Sequence, residues 1–86
     1  MRHFTTPAFW TAYDSLPNNV KSVADQNYKL LKEDSKHPSL HFKKINNKLW
    51  SVRVGIRYRA LATRNEAGFI WFWIGHHTKY DKLISR

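Results

Sequence analysis

The strongest constraint on this chain is a change of apolar period near Pro38. Before it, Val20, Val23, Ala24, Tyr28 and Leu31 recur at helical spacing, with Lys21, Asp25, Lys29 and Lys32 on the opposite face. From Leu40 onward the apolar residues alternate, as in Trp50, Val52 and Val54 against Leu49, Ser51 and Arg53. Side chains repeat their direction about every 3.6 residues on a helix and about every 2 on a strand, so no segment serves both patterns. The residue before Pro38 is also pushed away from helical angles, which ends the helical part ahead of Ser35 to Pro38. At roughly 100–200 residues per domain, 86 residues make one domain spanning 1–86.

The helical part predicts an αα-hairpin with helices over 8–16 and 19–34. Pro7 and Pro17 bracket Phe9, Trp10, Tyr13 and Leu16. Thr6 before Pro7 is an N-cap with proline in the first turn, and Asn18 or Asn19 caps the second helix. The rest predicts strands over 40–45, 49–54, 57–63 and 69–74, with turns at Asn46-Asn47 and at Asn65-Glu66-Ala67-Gly68. The apolar run Phe69-Ile70-Trp71-Phe72-Trp73-Ile74 implies a strand covered on both faces. The tail from Gly75 turns and ends in a helical turn or a short extended piece. The expected fold is α+β, the helical hairpin packed on a three- to four-stranded antiparallel sheet.

The pattern also selects a register for the central hairpin. A three-residue loop over Gly55 to Arg57 sets Trp50 opposite Ala62, Val52 opposite Ala60 and Val54 opposite Tyr58 on the core side. Arg53 then faces Arg59 and Ser51 faces Leu61 on the other side. A slip of one residue would bury an unpaired guanidinium, at a cost of several kcal/mol. Like charges opposed across strands are destabilising. A sheet that accepts them has an exposed face suited to an anionic ligand.

Charge supports this. The formal net charge is +9, and residues 1–34 contribute nothing to it, since Arg2, Lys21, Lys29 and Lys32 balance Asp14, Asp25, Glu33 and Asp34. The whole excess lies in 35–86, where only Glu66 and Asp81 are acidic. Such segregation points to a polyanion or an acidic protein partner. At 42% hydrophobic and 15% aromatic residues the chain is too apolar for a disordered basic tail. The absence of cysteine excludes a disulfide scaffold, a thiol nucleophile and Cys-rich zinc sites. No apolar run approaches the roughly 18 residues of a spanning helix, and there is no leader pattern, so a cytoplasmic location is expected.

The order of helix, helix and basic sheet, with Leu49-Trp50-Ser51-Val52-Arg53-Val54-Gly55, then Tyr58-Arg59-Ala60-Leu61, then Trp73-Ile74-Gly75-His76-His77, resembles the RelE/ParE superfamily of bacterial toxin–antitoxin toxins. The resemblance runs from about Val20 to Ile84 and is nearest in flavour to the RelE and HigB-like ribonucleases. It implies a toxin that cuts mRNA in the ribosomal A site without a metal or other cofactor and is neutralised by an acidic antitoxin. Arg53 and Arg59 match the arginines that hold the scissile phosphate. His77 stands where a further arginine is common, Tyr80 matches the C-terminal tyrosine, and Lys43 and Lys44 lie on the strand that carries substrate-holding lysines.

Metal-free RNA cleavage needs a base for the 2′-hydroxyl, an acid for the leaving 5′-oxygen and cations for the phosphorane. His77 and His76 are the candidate acid and base, with Asp81 as orienter and Tyr80 as a further catalytic group. Arg53, Arg57, Lys43, Lys44 and Lys79 are candidate phosphate contacts beside Arg59. Plainer readings stand beside these: a solvated turn for His76-His77, packing for Tyr80, and edge-strand protection for Lys43-Lys44. Trp50, Trp71 and Trp73 read as core, and Trp10 as core or an antitoxin contact. A zinc site from His76, His77 and Asp81 is disfavoured because adjacent histidines point apart in extended chain. Two other functions stay open: inhibition of DNA gyrase by binding, and a non-catalytic RNA-binding or decayed toxin module.

Overall fold

The computed structural model describes residues 2–85. Along the chain come β1 (Arg2–Thr5), α1 (Pro7–Asp14), α2 (Asn18–Glu33), a 3-10 turn (Pro38–Leu40), β2 (Lys43–Lys44), β3 (Trp50–Val54), β4 (Tyr58–Asn65), β5 (Gly68–His76) and α3 (His77–Ile84). The five strands form one sheet in the order β1-β5-β4-β3-β2. The α+β expectation holds, with one strand more than foreseen and a third helix.

Both N-terminal helices form. Thr6 caps α1 as expected, its hydroxyl accepting the Phe9 amide at 3.2 Å ahead of Pro7. The second cap differs: Pro17, not Asn18 or Asn19, stands at the cap position of α2, and it offers no side chain. Its carbonyl instead takes the Val20 and Lys21 amides, each at 3.0 Å. Tyr13 ties the helices together by donating to the Asp25 carboxylate at 2.8 Å. That bond, helped by some burial, holds the phenol above its ordinary titration range. Of the α2 stripe only Leu31 is fully buried, while Tyr28 remains 38% exposed.

The strand expected over 40–45 shrinks to Lys43–Lys44. Pro38 starts a 3-10 turn, and His41 at φ 46° turns the chain left-handed before it can extend. Asn46 then makes the foreseen turn, its Oδ1 accepting the Lys48 and Leu49 amides at 2.8 and 2.9 Å. The β3–β4 register is the one the hydrophobic pattern selects, with Trp50 opposite Ala62, Val52 opposite Ala60, and Arg53 opposite Arg59.

In β5 a bulge opposite Leu61 and Ala62 makes Phe72 the extra residue, because Leu61 pairs with Trp73 and Ala62 with Trp71. The parity changes there. Phe69 and Trp71 are joined on the helix side by Ile74 and not by Trp73, and all three are buried. These close the main core with Leu16, Leu31, Leu40, Val52, Val54, Ala60 and Ala62. Gly75, expected as a turn, continues the strand to His76.

Two features lie outside the sequence expectation. The first is β1, which adds to the sheet edge in parallel with β5, Arg2 opposite Gly68 through Thr5 opposite Trp71. His3 stacks on Phe69 at 5.5 Å between ring centres and accepts the Trp71 indole N–H at 3.1 Å. Gly68 sits at φ 149° against the Arg2 carbonyl, where any Cβ would collide with backbone. The second is α3, which covers part of the sheet face expected to meet solvent. Ser51, Leu61 and Tyr80 are all buried there.

Two predictions follow from the β1 edge. Gly68→Ala should lower stability by about 1–3 kcal/mol through backbone strain and the lost approach of β1. A lower denaturant midpoint with faster amide exchange across Thr5 and Thr6 is the expected reading. Burial, followed by nearby positive charge that includes Lys32, holds the His3 imidazole below its ordinary pKa of 6.5. The unfolded chain therefore binds more protons just below pH 6.5, so this part of the stability is complete above 6.5 and is lost as the pH falls toward the depressed folded value. His3→Gln should flatten the slope of melting temperature against pH in that window.

Candidate functional site

The cationic side chains of the sheet have no acidic partners. Among the described residues the one ion pair is His77 Nδ1 with Asp81 Oδ2 at 3.8 Å, so no lysine or arginine is neutralised by a carboxylate. At the end of the sheet beside the β3–β4 turn, three arginines come together. Arg53 and Arg59 are directly opposed across β3 and β4 and both are half-buried. Arg57 projects from the turn, exposed.

Each arginine is held differently. Arg59 donates from a terminal guanidinium nitrogen to the Tyr58 carbonyl at 2.9 Å, and its Cζ lies 6.0 Å from the centre of the Tyr80 ring. Arg53 has a buried Nε with no hydrogen-bond partner. An unmet buried donor is costly in a closed protein. Its backbone is fixed from the other side: β2 pairs with β3 only as far as Ser51. Beyond that point Asn27 of α2 donates its side-chain amide to the Arg53 carbonyl at 3.1 Å.

The two histidines stand at the junction of β5 and α3. His76 ends the strand opposite Tyr58, its ring edge-on to the tyrosine at 5.4 Å, and caps α3 by accepting the Thr78 amide at Nδ1. Capping requires a lone pair on Nδ1, which puts the proton of neutral His76 on Nε2. His77 begins α3 and donates its amide to the Arg57 carbonyl at 2.7 Å, fastening the arginine turn to the helix. The two rings are 4.5 Å apart. The expectation that adjacent histidines point apart fails here, because the chain passes from strand to helix between them.

Other candidates fall elsewhere. Tyr80 is buried, and its hydroxyl donates inward to Ser51 Oγ at 3.3 Å, so it fastens α3 to the sheet. Asp81 and Lys79 are exposed on α3, Asp81 one turn beyond His77. Lys43 pairs with Ser51 and so shares the arginine face, whereas Lys44 pairs with Trp50 and belongs to the opposite face. Sequence reasoning missed Asn27, Ser51 and Thr78. Asn27 carried a signal, since it lies between Ala24 and Leu31 on the inner side of α2, where a polar side chain needs a partner.

The fold has counterparts among known proteins. The chain has 17% sequence identity to a chain of the RelB-RelE antitoxin-toxin complex from Methanococcus jannaschii, with a TM-score of 0.72 over 93% of this chain and 96% of that one. The archaeal RelE-RelB complex from Pyrococcus horikoshii OT3 matches at 15% identity and a TM-score of 0.65, covering 87% of this chain and 92% of that one. At such identity the likeness concerns the fold. No curated protein sequence matches. The family model of the ParE-like toxin domain matches residues 18–82, from the start of α2 to within α3. Sharing both that signature and the RelE fold, the chain belongs to the ParE-like toxin domain family, within the RelE/ParE superfamily.

Proposed function

We propose that this chain is the toxin of a toxin–antitoxin pair, that it cleaves mRNA on the ribosome in the cytoplasm, and that an acidic antitoxin neutralises it. The observation that carries this reading is the opposed pair Arg53 and Arg59, free of carboxylates among the described residues, with His77 fastened to the adjoining Arg57 turn. The RelB-RelE complexes of the same fold support an antitoxin partner. Two planar forks on one face suit a phosphate held through several oxygens. Arg57 flanks them, Lys43 lies further along the same face, and Lys79 extends the positive surface on α3.

The division of labour follows from which ring nitrogens are engaged. With Nδ1 turned toward Asp81, His77 keeps Nε2 free to take the proton from the 2′-hydroxyl. The 2′-oxygen then bonds to phosphorus while the bond to the 5′-oxygen breaks, leaving a 2′,3′-cyclic phosphate. His76, paired with Tyr58 on the face away from Arg59, acts by capping α3, and protonated His77 supplies the proton that the 5′-oxygen requires. Arg53 and Arg59 stabilise the charge on the phosphorane. Tyr80 is a positioning residue that keeps α3, and with it His77, in place.

Inhibition of DNA gyrase by binding is the second reading. One observation favours it: the Tyr80 hydroxyl, a candidate catalytic group in the sequence, is turned inward to Ser51.

Inducing the wild type should arrest growth and create new mRNA 5′ ends. Combining Arg59→Ala with His77→Ala should cut fragmentation by at least about 100-fold, the scale of general acid–base catalysis, and restore growth. Equal arrest with unchanged mRNA ends in both would overturn the ribonuclease assignment, and a DNA-damage response without fragments would favour gyrase. Tyr80→Phe separates positioning from catalysis. A stability loss of about 0.5–1.5 kcal/mol in denaturant with cleavage retained is expected.

A further inference from the structure

The Lys43-Lys44 pair is split by the fold in a way the proposed cleavage site does not use. As the edge strand, β2 presents Lys43 on the arginine face and Lys44 on the opposite one. On that opposite face Lys44, Lys48 and Arg64 line an open groove of about 620 Å³, with Trp50 as its apolar wall and Glu66 as its single acid. None of the three cations is ion-paired. The Arg64 guanidinium lies over two rings, 5.8 Å from the centre of Trp50 and 5.5 Å from that of Phe69. Arg64 is exposed, so a base can reach the guanidinium that these rings hold.

We propose that this groove is a second RNA site, taking the backbone of a single strand that runs from the arginine cluster around the β2 edge. The choice of ligand rests on the ribonuclease reading above. Lys43 and Lys44 mark the path, one on each side of the edge. Arg59 and Arg64 are separated by five positions of β4, about 17 Å at strand rise, and lie on opposite faces, so a strand reaching both must also pass around the edge, which a short RNA cannot do. Single strands bind to basic grooves with an aromatic platform, and this groove combines Lys44, Lys48 and Arg64 with the Trp50 ring.

The test compares oligouridines of about 4 and about 16 nucleotides, bound by wild type and by Lys44→Ser/Lys48→Ser/Arg64→Gln, each also carrying His77→Ala so that the RNA stays intact. Losing three phosphate contacts should make the dependence of log affinity on log salt shallower by about 2 for the longer RNA and leave the short one unchanged. Lys44→Ser/Lys48→Ser alone, which leaves the Arg64 stack in place, should make it shallower by about 1.4. With His77 restored, cleavage of ribosome-bound mRNA should persist, because the cleavage site is untouched. An unchanged slope for the longer RNA overturns the second site, as does a variant that loses only antitoxin binding. A wild type that binds the longer RNA through the groove but cuts no ribosome-bound mRNA leaves the site standing and removes the ribonuclease reading. A wild type that neither binds nor cuts RNA overturns both.

Discussion

The pairing of β3 with β4 is the constraint on which the rest of the molecule depends. Val52 opposite Ala60 and Val54 opposite Tyr58 fill the helix side of the sheet, and the same register forces Arg53 against Arg59 on the other side. Opposed like charges weaken a sheet by up to about 1 kcal/mol, whereas a slip would take a guanidinium into the core at several times that cost. The hydrophobic term wins. The cationic pair is therefore a consequence of core packing, held in place by an interior that cannot rearrange around it.

Three further contacts turn that pair into a site with an open end. The Arg57 carbonyl takes the His77 amide, Asn27 takes over the Arg53 carbonyl where β2 has stopped, and Tyr80 closes on Ser51. Together they fix the turn, the strand and the helix relative to one another. The β5–α3 junction then sets two imidazoles 4.5 Å apart, with His77 tied to the Arg57 turn. In this arrangement α3 is both a cover for Leu61 and Ser51 and the support for the histidines, so packing and chemistry share one element.

Charge is distributed over both faces, with the edge strand between them. The helical hairpin contributes no net charge and buries the apolar side of the sheet, which leaves the cations to the sheet and α3. A short edge strand bearing a lysine on each face also discourages pairing with another sheet. One feature can serve both ends, since a positive edge that repels its own kind also guides a polyanion.

What the amino-acid sequence determined by itself is what depends on neighbours along the chain. The period of Val20 to Leu31 makes α2, Thr6 with Pro7 starts α1, and the alternation on either side of Gly55 sets the arginine pair; each was legible because its partners lie within a few turns or one hairpin. What only the tertiary structure decided concerns elements whose partners are remote. The β1 strand is four mostly exposed residues that extend because Gly68 and Trp71 receive them. The bulge at Phe72 hands the core from Trp73 to Ile74, a change of parity that six consecutive apolar residues conceal. Tyr80 carries no local sign of its direction, because Ser51, which it meets, is 29 positions away. Lys43 and Lys44 are adjacent in the chain and opposed in space, and only the pairing of β2 with β3 states which of them joins the arginines. Local periodicity specifies which face a residue shares with its neighbours, and long-range pairing specifies what covers that face.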